Sequence, residues 1–145
     1  MGRTVFLISF LMLGAHVGNA QSILGKWKTI DDETGEAKAL VEITREQGKL
    51  FGRVIEILNK DRKDAKCIKC DGKLKDRPIL GLPIIDGFTK EEDGAYKGKR
   101  LTDPTKGLTV RGKIWLDPDN ENRLKVRGYL AFFYRTQTWL RVNDQ

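Results

Sequence analysis

Histidine is nearly missing from this chain: its 145 residues contain one, His16. That residue falls inside an N-terminal stretch with the marks of an export signal. Met1-Gly2-Arg3 supplies a positive start, Val5 to Val17 is apolar apart from Ser, Gly and His, and Gly18-Asn19-Ala20 ends in small residues before Gln21. The pattern predicts a signal peptide over residues 1–20, cleaved after Ala20. Its apolar run is shorter than the ~20 residues that span a bilayer. The expected product is one exported domain, residues 21–145, periplasmic or secreted, with no integral membrane segment. It would contain no histidine. Ser-His-Asp and Cys-His catalysis, histidine bases and histidine metal ligands are therefore excluded by counting alone.

Cysteine is scarce too, with only Cys67 and Cys70. Their spacing matches a redox motif, but the parallel βαβ setting of thioredoxin-type chemistry is missing. A zinc site would need two further carboxylate ligands. In an oxidising compartment the plain expectation is a local disulfide fastening its own loop, worth about 2 kcal/mol on the chain-entropy model. Runs of like charge are absent as well. Losing Arg3 from the 27 Lys and Arg leaves 26 against 20 acidic residues, a surplus that favours solubility and anionic partners without identifying them. Because the basic residues are dispersed and the chain is expected to be exported, no nucleic-acid partner is expected. Asp117-Pro118-Asp119-Asn120-Glu121-Asn122 resembles a calcium loop only superficially. Its sixth and twelfth positions are Asn122 and Gly128 where glycine and glutamate belong, so a hairpin turn is expected. Neither metal nor cofactor is expected.

No segment after residue 20 keeps a helical period for long. Short apolar or alternating runs are separated instead by Gly, Asp, Asn and Pro clusters, which indicates an all-β domain. Eight strands are predicted: Gly25 to Ile30, Lys38 to Thr44, Lys49 to Leu58, Ile79 to Phe88, Ala95 to Thr102, Leu108 to Leu116, Arg123 to Phe132 and Arg135 to Val142. Turn residues such as Asp31-Asp32-Glu33-Thr34-Gly35 and Asp103-Pro104-Thr105-Lys106-Gly107 imply neighbouring antiparallel strands. One long connection, about Asn59 to Arg77, holds both cysteines and has room for a short helix. Eight such strands suit a closed up-and-down β-barrel, whose interior is either packed or holds one small ligand. A two-sheet β-sandwich is the alternative. Gly52, Gly98, Gly112 and Gly128 lie inside strands, where they suit the bends that closure demands.

Gly25-Lys26-Trp27 opens the first strand and resembles the lipocalin signature, a Gly-x-Trp on the first strand matched by a basic residue on the last. The resemblance implies that a cation from the final strand, Arg141 or Arg135, packs over the Trp27 ring and joins the two strands that close the barrel. Further along, Arg77-Pro78-Ile79-Leu80-Gly81-Leu82, Leu101-Thr102-Asp103-Pro104-Thr105-Lys106-Gly107, Leu124-Lys125-Val126-Arg127-Gly128-Tyr129 and Arg135-Thr136-Gln137-Thr138-Trp139-Leu140-Arg141-Val142 follow in the order seen in domain-of-unknown-function family 2147 (DUF2147), exported bacterial proteins. That likeness covers Gly25 to Val142 and implies a lipocalin-like barrel without an assigned reaction. Tyr96-Lys97-Gly98-Lys99 departs from the Trp and Gly pair frequent in the family.

Alternation places Leu108, Val110, Gly112, Ile114 and Leu116 on one face of the sixth strand, and Leu124, Val126, Gly128 and Leu130 on one face of the seventh. Arg111, Lys113, Arg123, Lys125 and Arg127 then form a cationic opposite face, most simply the outside. A one-residue change of register reverses this. Arg111, Trp115, Arg127 and Tyr129 would then line a cavity suited to an amphipathic anion. The leading functional expectation is a non-enzymatic binding protein holding a small apolar or amphipathic molecule, an anionic one included, in the barrel. The alternative is a packed interaction or structural module of the cell envelope. An enzyme built on Glu42, Glu56 or Asp86 ranks last, since no spacing brings these carboxylates together.

Overall fold

The computed structural model describes Gly2 and residues 21–143, so the expected signal peptide lies outside the described residues apart from Gly2. Eight strands run β1 Gly25–Ile30, β2 Ala37–Glu46, β3 Lys49–Ile57, β4 Pro83–Lys90, β5 Tyr96–Asp103, β6 Leu108–Asp117, β7 Asn120–Leu130 and β8 Phe133–Val142. Each pairs antiparallel with the next, and β8 returns to β1, giving a closed barrel. The two-sheet sandwich is not what forms. Short aspartate-initiated turns hold the hairpins. Asp31 Oδ1 accepts the backbone N–H groups of Glu33 and Thr34 at 2.9 Å each, and Asp103 Oδ1 accepts those of Thr105 and Lys106. These side chains satisfy turn amides that the sheet ladder cannot reach.

Most strand ends lie within three residues of the sequence expectation, and two of the differences have a structural cause. The apolar run Ile79-Leu80-Gly81-Leu82 precedes β4 and belongs to the long connection, whose Leu82 is fully buried and whose Ile79 packs on the core. Its backbone still bonds to the barrel, through Val54 N–H to the Leu82 carbonyl at 3.1 Å and Gly81 N–H to the Val54 carbonyl at 2.7 Å. β7 stops at Leu130, because Ala131 takes a left-handed φ of 52° and turns the chain. Phe132 therefore sits in a turn.

The connection between β3 and β4 contains two 3-10 turns, Lys60–Arg62 and Gly72–Leu74, and the Cys67–Cys70 disulfide. Both sulfurs are buried, with Cys67 Sγ 3.5 Å from the Pro104 carbonyl oxygen in the β5–β6 turn. A Cβ on Gly107 in that turn would overlap the Lys69 carbonyl. The disulfide loop is thus pressed onto the β5–β6 turn, where only glycine leaves room.

Inside the barrel Gly98, Gly112 and Gly128 stand opposite one another across β5, β6 and β7. These three and Gly52 all keep φ outside the left-handed region. Their role is space: a Cβ on Gly98 would overlap the fully buried Phe88 ring, and one on Gly112 would come within 2.9 Å of Leu101 Cβ. Large residues from neighbouring strands fill the gap, so close packing is kept without a second layer.

Closure is concentrated at one contact. β1 and β8 share only three register pairs, and the central one is Trp27 with Arg141. Trp27 is completely buried, its indole Nε1 donates to the Ile23 carbonyl at 2.9 Å, and the Arg141 guanidinium lies 4.3 Å from its ring centroid. The same guanidinium donates to the carbonyls of Ser22 (2.9 Å), Glu121 (3.0 Å) and Leu24 (3.4 Å). Burial pushes its pKa down, so the ring face and three carbonyls replace the water that a cation gives up here. Trp27→Ala should destabilise the domain by about 3–5 kcal/mol, as for a large buried aromatic. Arg141→Met should cost about 1–3 kcal/mol through the lost cation–ring and charged hydrogen bonds. Urea unfolding measures both, and midpoints matching the wild type would show that the barrel closes elsewhere.

Candidate functional site

The barrel interior divides along its axis. Near Trp27 it is packed solid by Ile43, Leu50, Phe88, Ile114 and Leu124, all fully buried or nearly so. Toward the opposite end it opens into a cavity of about 690 Å³. The apolar wall comes from Val41, Val54, Ile84, Leu101, Val126 and Trp139, each on a different strand from β2 to β8. Gln137 is the polar group projecting from β8 into this region; its Oε1 accepts from Trp139 Nε1 at 3.2 Å. Fixing that oxygen against the indole leaves the Gln137 amide nitrogen as a donor within a largely aliphatic chamber. A volume of this size with an apolar wall and few polar groups has the character of a small-molecule site.

Four connections form the mouth: the β1–β2, β5–β6 and β7–β8 turns and the β3–β4 connection, the last contributing Arg62 and Ala65. Charges of both signs ring it. Lys38 pairs with Asp31, and Arg135 pairs with Asp32 and Glu33. Lys38 beside Asp31, together with the Thr34 and Glu33 amides, holds the Asp31 carboxyl well below the usual carboxylate range; Arg135 lowers Asp32 and is itself raised by it. Arg62 and Lys106 also border the opening.

The sequence-derived site residues divide into three groups. Gly25, Trp27 and Arg141 meet at the closed end, where Gly25 has a φ of 117° that only glycine adopts readily. Arg135 does not join them. It lies on the same inward face of β8 as Arg141 but at the mouth, where it ties the last strand to the β1–β2 turn through Asp32. Arg111, Trp115, Arg127 and Tyr129 do not line the cavity. Val110, Gly112, Ile114, Val126 and Gly128 face inward, so these four alternate with them onto the outer wall. They still cluster there. Arg111 lies over Tyr129, and Arg127 lies over both Trp115 and Tyr134, at 4.3–5.6 Å from the ring centroids. The inward alternative is corrected because burying two guanidinium groups without carboxylates would cost far more than stacking them outside.

Among the carboxylates weighed for catalysis, Glu42 pairs in register with Lys26 and Arg53, Glu56 with Leu40, and Asp86 forms an ion pair with Arg100. They are not brought together. Among the described residues there is no group of three or more potential metal ligands. Sequence reasoning missed Gln137, Arg62 and the cavity-wall residues of β2 to β4. The alternation of Val41 and Ile43 was a visible signal for the first of these strands, but depth along the axis was not.

A protein-family model described as "Uncharacterized protein conserved in bacteria (DUF2147)" matches residues 25–141. The chain belongs to the DUF2147 family. Among solved structures, "Protein HP1028 from the human pathogen Helicobacter pylori belongs to the lipocalin family" matches with a TM-score of 0.71 and 19% identity, covering 86% of each chain. The likeness establishes a lipocalin-like fold for this DUF2147 member. No curated protein matches the sequence.

The mouth ion pairs have a pH consequence. Asp31 and Asp32 are lowered in the folded state, so their contribution to stability is present above the ordinary carboxylate pKa of about 4 and is lost as pH falls toward their folded values. Between about pH 5 and pH 2 the wild-type Tm should fall further than that of the Asp31→Asn, Asp32→Asn double variant. Parallel curves would show that these pairs do not stabilise the mouth.

Proposed function

We propose that this DUF2147 protein is an exported, non-enzymatic carrier of a small apolar or amphipathic molecule. The apolar part lies against Val54, Val126 and Trp139, and the polar end stays at the charged mouth. The observation that carries the reading is the cavity of about 690 Å³ that opens at the mouth above the packed core near Trp27. A second hollow of about 680 Å³ at the other end is bordered by charged residues, Arg45, Lys90, Asp93 and Lys113 among them, and offers less apolar wall. Solvent held against so much aliphatic wall gains free energy by release, roughly 25 cal/mol per Å² of apolar surface covered on both partners. Gln137 offers one orienting hydrogen bond. An anionic head would meet Arg62 and Lys106 at the rim rather than Arg111 and Arg127 on the outer wall. A packed structural module would have no use for such a volume, which is why the carrier reading is preferred.

Displacement of a fluorescent fatty acid tests this. The wild type should bind the probe, and Val110→Phe, which fills the cavity beside Gly128, should weaken binding roughly tenfold or more, about 1.4 kcal/mol or above, with the β-sheet circular dichroism unchanged. Arg111→Gln on the outer wall should leave it intact. No probe binding by the wild type, or equal binding by Val110→Phe, would contradict the carrier reading.

A further inference from the structure

The β7–β8 turn breaks two local rules at once. Tight hairpin turns use Asn, Asp or Gly where the chain turns left-handed, yet Leu130-Ala131-Phe132-Phe133 makes this one, with Ala131 in the left-handed region. It also holds Phe132 at 99% exposure and Phe133 at 78%, with Leu130 and Tyr134 more than half exposed beside them. Leu108 from the start of β6 adds a fifth exposed apolar residue at the same end of the barrel. A cluster of this kind at a projecting tip costs solubility and marks a contact surface.

The residues behind the tip point to the kind of surface. Along the outer face of the hairpin, the next register pair is Tyr129 with Tyr134, then Arg127 with Thr136, then Lys125 with Thr138. Trp115 and Arg111 flank this ladder from β6. The order away from the tip is therefore phenylalanine, tyrosine, then stacked arginine. At about 3.3 Å per strand residue, Arg127 stands about 13 Å behind Phe132. That sequence of chemistries matches the layers of a bilayer surface: acyl boundary, interfacial belt, phosphate. Arg127 is held over the Trp115 and Tyr134 rings, and its Nε donates to the Thr136 hydroxyl at 2.8 Å. Stacking fixes the guanidinium plane and leaves its terminal N–H edge for a phosphodiester.

We propose that the β7–β8 hairpin is a docking element for anionic phospholipid surfaces, inserting Phe132 and Phe133 while Arg111 and Arg127 engage headgroup phosphates. Only the tip enters, since the barrel's outer strands carry Lys, Arg and Glu. Leu108, Leu130 and Phe133 also border the cavity mouth, so docking brings the chamber's opening to the lipid. The mouth itself carries charges of both signs, so the complementarity that favours a membrane over a neutral protein partner comes from Arg111, Lys125 and Arg127 on the outer face behind the tip. The docking is separate from the carrier reading and stands if that fails.

Co-sedimentation with vesicles of phosphatidylglycerol and phosphatidylcholine, against phosphatidylcholine alone, tests it. The wild type should bind the anionic vesicles, less as salt rises, and weakly or not at all the neutral ones. Phe132→Ser with Phe133→Ser should lower the partition roughly tenfold or more; these side chains are exposed, so the fold is not at stake. Arg111→Gln with Arg127→Gln should weaken binding to the anionic vesicles only. Val110→Phe should leave vesicle binding unchanged, which keeps this test apart from that of the carrier. Wild type that ignores anionic vesicles, or serine variants that bind them equally, would overturn the proposal. So would a wild-type dimer in sedimentation analysis that the serine pair dissolves, since a second copy would then cover the tip.

Discussion

Eight strands form a barrel only if the first finds the last, and in this chain three residue pairs accomplish that. The burden falls on Trp27 and Arg141. An indole buried completely at the end of a barrel loses all of its water, and a guanidinium beside it would ordinarily be driven out. Here the ring's negative face, together with three backbone carbonyls, accepts the cation. One of those carbonyls is on Glu121, in β7, so the contact reaches beyond the two strands it joins. With that end sealed, the aliphatic residues of the other half can enclose space rather than fill it.

The division into a packed half and an open half follows from side-chain size. Phe88 occupies the volume freed by Gly98 and Gly112, so its ring and the neighbouring Leu50 and Ile114 complete the lower core. Above that level Val41, Val54, Val110, Val126, Gly128 and Gln137 face inward, and with Ile84, Leu101 and Trp139 they line the space without filling it. Bulk at the bottom and small side chains at the top make a cup. The disulfide loop is wedged against the β5–β6 turn at Gly107, and the same β3–β4 connection supplies part of the rim through Arg62 and Ala65.

Much of this was legible in the sequence, for reasons that are local. Turn aspartates and glycines mark hairpins because they bond their own backbone, and the alternation in β6 and β7 reports one wet and one dry face. The choice between Arg141 and Arg135 was not legible. Six residues apart on one strand, they share a face, and only register decides which reaches Trp27 and which reaches Asp32. Ile79-Leu80-Gly81-Leu82 reads as strand because an apolar segment covering a barrel has the same composition as one inside it. Phe132 reads as strand for the complementary reason: nothing in an apolar run announces a turn made by alanine. The cavity escaped sequence reasoning because its wall is assembled from all eight strands, each contributing a few residues at a depth that pairing alone sets.

The central claim is that the mouth half of the barrel receives apolar matter while the Trp27 half does not. Methyl-resolved NMR during titration with a medium-chain fatty acid addresses it directly. The account predicts shifts at the methyls of Val41, Val54, Ile84 and Val126, with those of Ile43, Ile114 and Leu124 unmoved. Shifts confined to the outer wall, or none at all, would contradict it.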